Sequence, residues 1–433
     1  MGKERMLITG GHALEGQVKV SGGKNTAVAV IPATLLSDEP CTIENLPDIE
    51  DVHALADILT ELGAKVDYEP GKCMRVDPRP AEGTEISYRN AQRLRASYYL
   101  LGALLGRCGR AKVPTPGGCE IGSRPVDQHL KGFRSIGADA GEIAGILTAE
   151  GTLTGGDVFF DMVTVGGTVN VMLAAVKAKG QTYIYNAAKE PHIVDVANFL
   201  NAMGANIKGA GTDTIRIQGV PVLPGGYSYS VIPDQIEAGT YMIAAAVTRG
   251  DVTIHNLIPK HMEPLTVKML EMGFNIDQGD DWIRVSIDDD TELEPANFKT
   301  RPYPGFPTDL QPQATVLLCQ AHGMSQMHEN VWDNRFQYVP ELQSMGASIS
   351  VMERIALVHG PVKFSGARVT ALDLRAGAAM VLAGLAAEGT TTIGFANRIE
   401  RGYEKIVEKL RGIGAEIEHI EEDEEHVLPV DDE

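Results

Sequence analysis

Along this chain an apolar stretch at helical spacing repeatedly ends in a glycine and restarts as an alternating strand, and the pattern recurs six times. The junctions read TELGAKV, RSIGADA, NAMGANI, LEMGFNI, QSMGASI and RGIGAEI, centred on Gly63, Gly137, Gly204, Gly273, Gly346 and Gly414. Before the first of them, Ile49, Val52, Leu55, Leu59 and Leu62 recur every three to four residues, which predicts a helix with one face turned to a core. The glycine supplies the left-handed turn that closes such a helix, and the alternation beyond it predicts a strand. Further upstream each copy has a second helix rich in small residues, such as ASYYLLGALL or GAAMVLAGLAA. Between the two helices runs a β-branched segment such as QTYIYN or DVTIHN.

The repeat, roughly 70 residues long, is too large for a solenoid unit, and its inner helices are too apolar for an open array. A closed bundle of helices faced by sheets fits better. At 433 residues the chain exceeds what one core usually serves, so more than one domain is expected. The Pro- and Gly-rich stretch 221–234 falls between the third and fourth copies and is the expected linker, with three repeats on either side. The strand-like segment RMLITGGHALEGQVKVSGG has no partner within the first repeat and is expected to cross back and complete the last one.

The net charge of −20 disfavours a nucleic-acid partner, and much of the excess lies in the tail from Glu421 to Glu433. No stretch approaches the ~20 apolar residues of a membrane helix. MGKERMLITG lacks the apolar core of a signal peptide, so a cytoplasmic protein without a membrane partner is expected. The cysteines are Cys41, Cys73, Cys108, Cys119 and Cys319, and their spacing supports neither a disulfide framework nor a metal site.

Chemistry is to be sought where the copies diverge in charge. Loops ahead of the inner helices carry Lys24, Arg95, Glu237, Asp309 and Asp373 with Arg375, while the third copy has only glycine, in VGGT. Loops ahead of the outer helices carry Cys119 and Arg124, then Arg335, then Arg401. Helix N-termini already favour anions, so these positions suit phosphate and carboxylate. Each is weak alone. A lysine in SGGKN is usually a solvated turn residue, the P-loop pattern is absent, and Asp309 and Asp373 could equally be helix caps. Their coincidence across copies raises the functional reading. Cys119 lies in TPGGCEIGSRP, a sequence of loop character, where a nearby Arg124 would favour the thiolate and Glu120 would oppose it; it could serve as proton donor or nucleophile.

PGGCEIGSRPVDQH, FPTDLQPQ, ENVWDNRF, DLRAGAAMVLAGLAAEGTT and RGYEKIVEKL, in that order, resemble signatures of the UDP-N-acetylglucosamine 1-carboxyvinyltransferase family of enolpyruvyl transferases. The resemblance runs from GQVKVSGGKN to KLRGIGA. It implies an α/β fold of α+β type, a two-domain inside-out α/β barrel with three βαβαββ units per domain and the active site in the cleft between them. The domains would be 24–233, carrying the Cys119 loop, and 1–23 plus 234–433. It further implies phosphoenolpyruvate and UDP-N-acetylglucosamine as substrates, the first committed step of peptidoglycan synthesis, and no cofactor. Carried over by position, Lys24, Arg124 and Arg401 would bind phosphoenolpyruvate, with Arg335 and Arg375 facing it. Asn25, Arg95 and Asp373 also match. Thr164, Val165, Gly166 and Val331 would lie along the nucleotide. Asp309 would be the base for the sugar 3-hydroxyl and Cys119 the acid at the methylene carbon.

Two positions depart from the family pattern: Gln235, where arginine is frequent, and Glu50, where some members carry lysine. The rival readings are the sister transferase acting on shikimate 3-phosphate, which does not need the cysteine loop, and a UDP-sugar-binding paralogue without turnover. The sequence leaves the oligomeric state open.

Overall fold

The structure, a computed structural model, describes residues 4–115, 126–288 and 290–420. These fall into two compact units. The first is Ser21–Asp234 with Pro302–Gly305, and the second is the rest of the described chain. The divisions lie at residues 21 and 234 rather than 24 and 233, and the first unit also claims four residues from beyond the second boundary.

Each unit places its small-residue helices in the interior and its sheets around them, the inside-out α/β arrangement. In the first unit, helices Lys24–Ala33 and Val165–Ala175 both pack on Tyr99–Cys108. Nearly every side chain of the three is buried, so these helices have no solvent face to carry polar residues. Gly102 and Gly106 permit the approach. A Cβ at either would come within 2.3 Å of the Asn170 carbonyl oxygen or 2.8 Å of that of Leu173. The second unit repeats the plan with Gln235–Val247, Gln311–Leu318 and Leu374–Ala386, each touching the other two.

All six junction glycines adopt the conformation that the sequence demands of them, with φ between +96° at Gly63 and +109° at Gly204. In each copy the residue after the glycine donates its N–H back to the carbonyl five residues earlier, as Ala64 does to Leu59 and Ala347 to Leu342. This bond satisfies a carbonyl that the helix end would leave bare.

The sheets show how the repeats are completed. A full copy, such as the fifth, has a parallel edge strand Asn297–Lys299, then Gly323–His328, then the antiparallel hairpin Ser348–Met352 and Ile355–Gly360. In the sixth copy the N-terminal strand Arg5–Thr9 lies antiparallel between Thr390–Gly394 and Glu416–Ile420, as expected. The same N-terminal segment does a second job that was not expected: Glu15–Lys19 pairs parallel with Asp251–His255 and supplies the edge of the fourth copy. The stretch 221–234 is more than a linker. Its strand Ser228–Ser230 pairs parallel with Cys41–Glu44 and completes the first copy, and Asp195 holds it there through the Tyr229 hydroxyl at 2.6 Å and the Ile232 N–H at 3.1 Å.

One polar device recurs at these edges. Asn45, Asn186 and Asn256 end their strands with φ between +55° and +59°, a region asparagine tolerates better than most residues. Their side-chain amides donate to Val231, Phe160 and Val20, each just beyond its edge strand. Asn330 makes the equivalent bond to Thr300. In the sixth copy Phe395 occupies the strained position, and Arg398 takes over the clasp by donating to the Ala371 carbonyl at 3.0 Å.

Candidate functional site

In the second unit a short 3₁₀ turn, Thr308–Leu310, leads into the inner helix Gln311–Leu318 and presents Asp309 with its side chain about one-third exposed. Arg375 Nη2 donates to Asp309 Oδ2 at 3.0 Å, and Arg335 Nη2 lies 3.7 Å from Oδ1. Both arginine side chains are almost fully buried. Arg335 Nη2 also reaches the Thr308 carbonyl at 3.4 Å, while its Nε has no acceptor among the described residues. Two buried guanidiniums thus converge on one partly exposed carboxylate. Guanidiniums held in this way present planar donors of the kind that suit phosphate or carboxylate.

Asp373 caps the helix Leu374–Ala386, its Oδ1 accepting from the N–H groups of Arg375 at 2.7 Å and Ala376 at 3.0 Å. The capping role therefore holds, and it fixes the backbone from which Arg375 projects. The Arg375 guanidinium lies 5.5 Å from the ring centroid of Tyr403, two residues beyond Arg401. The Tyr403 hydroxyl bonds to Thr240 Oγ1 at 3.0 Å and Gln313 Nε2 at 3.1 Å. The turn carrying Arg401 is thus tied to all three inner helices of its unit.

In the first unit Lys24 opens the helix Lys24–Ala33, with Asn25 following. The lysine is not a solvated turn residue. Its Nζ lies 2.8 Å from Asp51 Oδ2, both side chains being mostly buried, and its backbone N–H donates to Asp234 at 2.9 Å. Arg95 begins the 3₁₀ turn Arg95–Tyr98. Nearby, the unusual Glu50 is engaged by Arg93 at 2.7 Å, so the acidic substitution has a cationic partner on the chain itself. Thr164 caps the helix Val165–Ala175 by accepting from the Gly167 N–H at 3.1 Å, which places Val165 and Gly166 in the first turn. Against this turn sits His129. A Cβ on Gly166 would come 2.7 Å from its Cε1. Its Nδ1 faces the Asn170 amide at 2.8 Å, its ring meets Tyr98 edge-on at 5.0 Å, and burial pushes its pKa down to about 4. The imidazole is neutral at pH 7.

Cys119 and Arg124 lie outside the described residues. Glu237, expected in a loop, is buried inside the helix Gln235–Val247 and paired with Lys409 at 2.5 Å; an acidic group is tolerated there because its partner is built in. Val331 spends its N–H on Glu329, at 2.7 Å. Sequence reasoning missed Asp51, Glu329, Tyr403 and His129. The last three stand in or beside the motifs MHENVWDNRF, RGYE and RPVDQH, and that adjacency was the only available signal. Among the described residues no group of three or more His, Cys, Asp or Glu is arranged to hold a metal, and no helix is long and apolar enough to cross a membrane.

Apolar helices enclosed by six related sheets, with arginines and aspartates gathered at the helix starts, define an enolpyruvyl-transferase type of protein. The chain belongs to the EPSP synthase (3-phosphoshikimate 1-carboxyvinyltransferase) family, whose model matches residues 8–410. Within that family it is similar to the UDP-N-acetylglucosamine 1-carboxyvinyltransferase of Clostridium botulinum, 51% identical over 415 residues, covering 95% of this chain and 99% of that one. It is likewise similar to UDP-N-acetylglucosamine 1-carboxyvinyltransferase 3 of Caldanaerobacter subterraneus, 52% identical over 421 residues, covering 97% and 100%. Among solved structures it resembles the enolpyruvyl transferase NikO from Streptomyces tendae, with a TM-score of 0.87, 27% identity and coverage of 98% and 100%. An EPSP synthase from Acinetobacter baumannii shares the fold at a TM-score of 0.73 and 18% identity, covering 96% and 100%.

Proposed function

We propose that this chain transfers the enolpyruvyl group of phosphoenolpyruvate to the 3-hydroxyl of UDP-N-acetylglucosamine and releases phosphate, the step that commits the nucleotide sugar to peptidoglycan. The observation that carries this is the near-full-length identity of about half with relatives bearing that name. A cytoplasmic location goes with the reading.

Protonation of the methylene carbon of phosphoenolpyruvate, with Cys119 as the acid, makes an oxocarbenium-like centre. The 3-hydroxyl, losing its proton to Asp309, attacks that centre to give a tetrahedral ketal. Loss of a proton from the new methyl group and of phosphate then yields the enolpyruvyl ether. Phosphoenolpyruvate carries a phosphate and a carboxylate, which suit planar, bidentate guanidiniums: Arg124, Arg335, Arg375 and Arg401, with Lys24 as a point charge. Arg95 and Asn25 join this substrate-facing set, and Asp373 acts through the helix start that it caps. Thr164, Val165, Gly166 and Val331 line the nucleotide. The three-repeat division of the chain, near 24–233 and the remainder, goes with substrates engaged by both halves.

Phosphate release with each acceptor decides the matter. Turnover with UDP-N-acetylglucosamine and none with shikimate 3-phosphate is expected; the reverse would install the sister reaction. Tight nucleotide-sugar binding without phosphate release, in fresh protein supplied with phosphoenolpyruvate, would favour a paralogue that has lost turnover.

A further inference from the structure

Glu329 is a carboxylate only 1% exposed, at the end of the strand Gly323–His328. Burying such a group is costly unless its lone pairs are filled. Here four donors fill them. Oε1 accepts from Thr300 Oγ1 at 2.9 Å, from the Val331 N–H at 2.7 Å and from the Trp332 N–H at 3.1 Å, and Oε2 accepts from Thr308 Oγ1 at 3.0 Å. None of these donors is a lysine or arginine.

The four donors come from three separate segments. Thr308 immediately precedes Asp309, Val331 and Trp332 form the next loop, and Thr300 ends the edge-strand side of the same sheet. Thr300 is itself fixed to that loop, its Oγ1 accepting from the Asn330 N–H at 2.8 Å. The peptide ahead of Asp309 is held from the other side as well, where Arg335 reaches the Thr308 carbonyl. A core position needing only volume would take an apolar residue more cheaply. This carboxylate instead works as a four-point crosslink.

We infer that Glu329 is a positioning residue that locks the Thr308–Asp309 turn to the 330–332 loop, so that the base and the nucleotide-lining Val331 keep a fixed separation. The inference rests on the roles proposed above for Asp309 and Val331. One consequence is chemical: the Val331 N–H is already spent on Glu329, so Val331 meets the nucleotide through its carbonyl or its side chain.

The crosslink predicts how three variants divide their effects. Glu329→Ala removes all four acceptor contacts and should lower kcat about 10- to 100-fold, the scale of a reacting group displaced by about 1 Å, and also raise KM for UDP-N-acetylglucosamine. Glu329→Gln keeps the shape and an acceptor at Oε1, and the Thr308 hydroxyl can rotate to accept from the new amide, so both constants should recover to within about threefold of the parent. Thr308→Val cuts only the arm toward Asp309; it should lower kcat and leave KM for the nucleotide sugar unchanged. A merely structural role would make the losses follow unfolding midpoints and would not separate kcat from KM. Unchanged kcat in Thr308→Val, or a Gln variant as impaired as a folded Ala variant, would overturn the inference. If Glu329→Ala does not fold, the other two variants decide it alone. Phosphate release by the unaltered protein with UDP-N-acetylglucosamine tests the underlying reaction, so that failure is read separately from failure of the crosslink.

Discussion

Arg375 donates to Asp309 at 3.0 Å across 66 residues of chain, joining the inner helices of the fifth and sixth repeats through their starts. The contact fixes where the carboxylate points, and the proposed reaction needs that carboxylate to take a proton. Asp309→Asn keeps size and a hydrogen-bond acceptor for the arginines but cannot serve as the base. Turnover should fall by about 10²- to 10⁴-fold with substrate affinities near those of the parent, measured by steady-state phosphate release and by equilibrium binding of the nucleotide sugar. Near-normal turnover would remove Asp309 from the chemistry and leave it as an ion-pair partner.

The thiols should react unequally. Burial pushes the pKa of Cys41 and of Cys319 up to about 12, and raises that of Cys108. Thiolate is the reactive form, so at neutral pH these groups are poor nucleophiles. If Cys119 is the acid, an epoxide analogue of phosphoenolpyruvate should add its mass to the peptide containing it, as read by mass spectrometry of a digest. An adduct on Cys41 or Cys319 instead would sink the acid assignment. Since a carboxylic acid can also donate a proton, Cys119→Asp should retain more turnover than Cys119→Ala.

Much of the architecture was legible because it rests on local stereochemistry. Gly63 and its five counterparts announce helix ends, since a left-handed turn excludes most other residues, and the alternation after them announces strands. The return of Arg5–Thr9 to the last repeat followed from an apolar strand lacking a local partner. The second pairing, by Glu15–Lys19, was not legible: EGQVK has one buried residue, and its partner lies far away in sequence. The stretch 221–234 looked like a linker because proline and glycine dominate it, whereas the decisive contacts come from Asp195. Candidate site residues were found where repeats differ in charge. That criterion cannot find Glu329 or Asp51, whose significance lies in burial and in partners distant along the chain.

The glycine turns allow a direct test of cost. At Gly346 φ is +104°, and an added Cβ would meet nothing nearer than the Lys363 carbonyl oxygen at 3.5 Å, an ordinary contact. Gly346→Ala should thus carry only the conformational penalty, about 1–2 kcal/mol, seen as a lower midpoint in urea unfolding. Gly394 is the control. It lies in a strand without positive φ, and its added Cβ would be 3.8 Å from the nearest atom, so Gly394→Ala should cost less. Equal losses at the two positions would show that backbone conformation is not what Gly346 provides.

His129 should make stability depend on pH. Its pKa is lowered to about 4 in the folded protein, mainly by burial and slightly offset by Asp127, against an ordinary value near 6.5. Between those values the unfolded chain binds a proton that the folded chain refuses, so stability rises with pH across the window. Lowering the pH from about 7 to 4 should remove roughly 3 kcal/mol through this one group. His129→Gln cannot titrate yet can still accept from Asn170 through its amide oxygen. The variant should show a flatter dependence of the urea midpoint on pH over that range, with the difference from the parent vanishing above about pH 7. A parallel slope in both proteins would mean that His129 takes up a proton in the folded state, with the Asn170 amide turned to accept it.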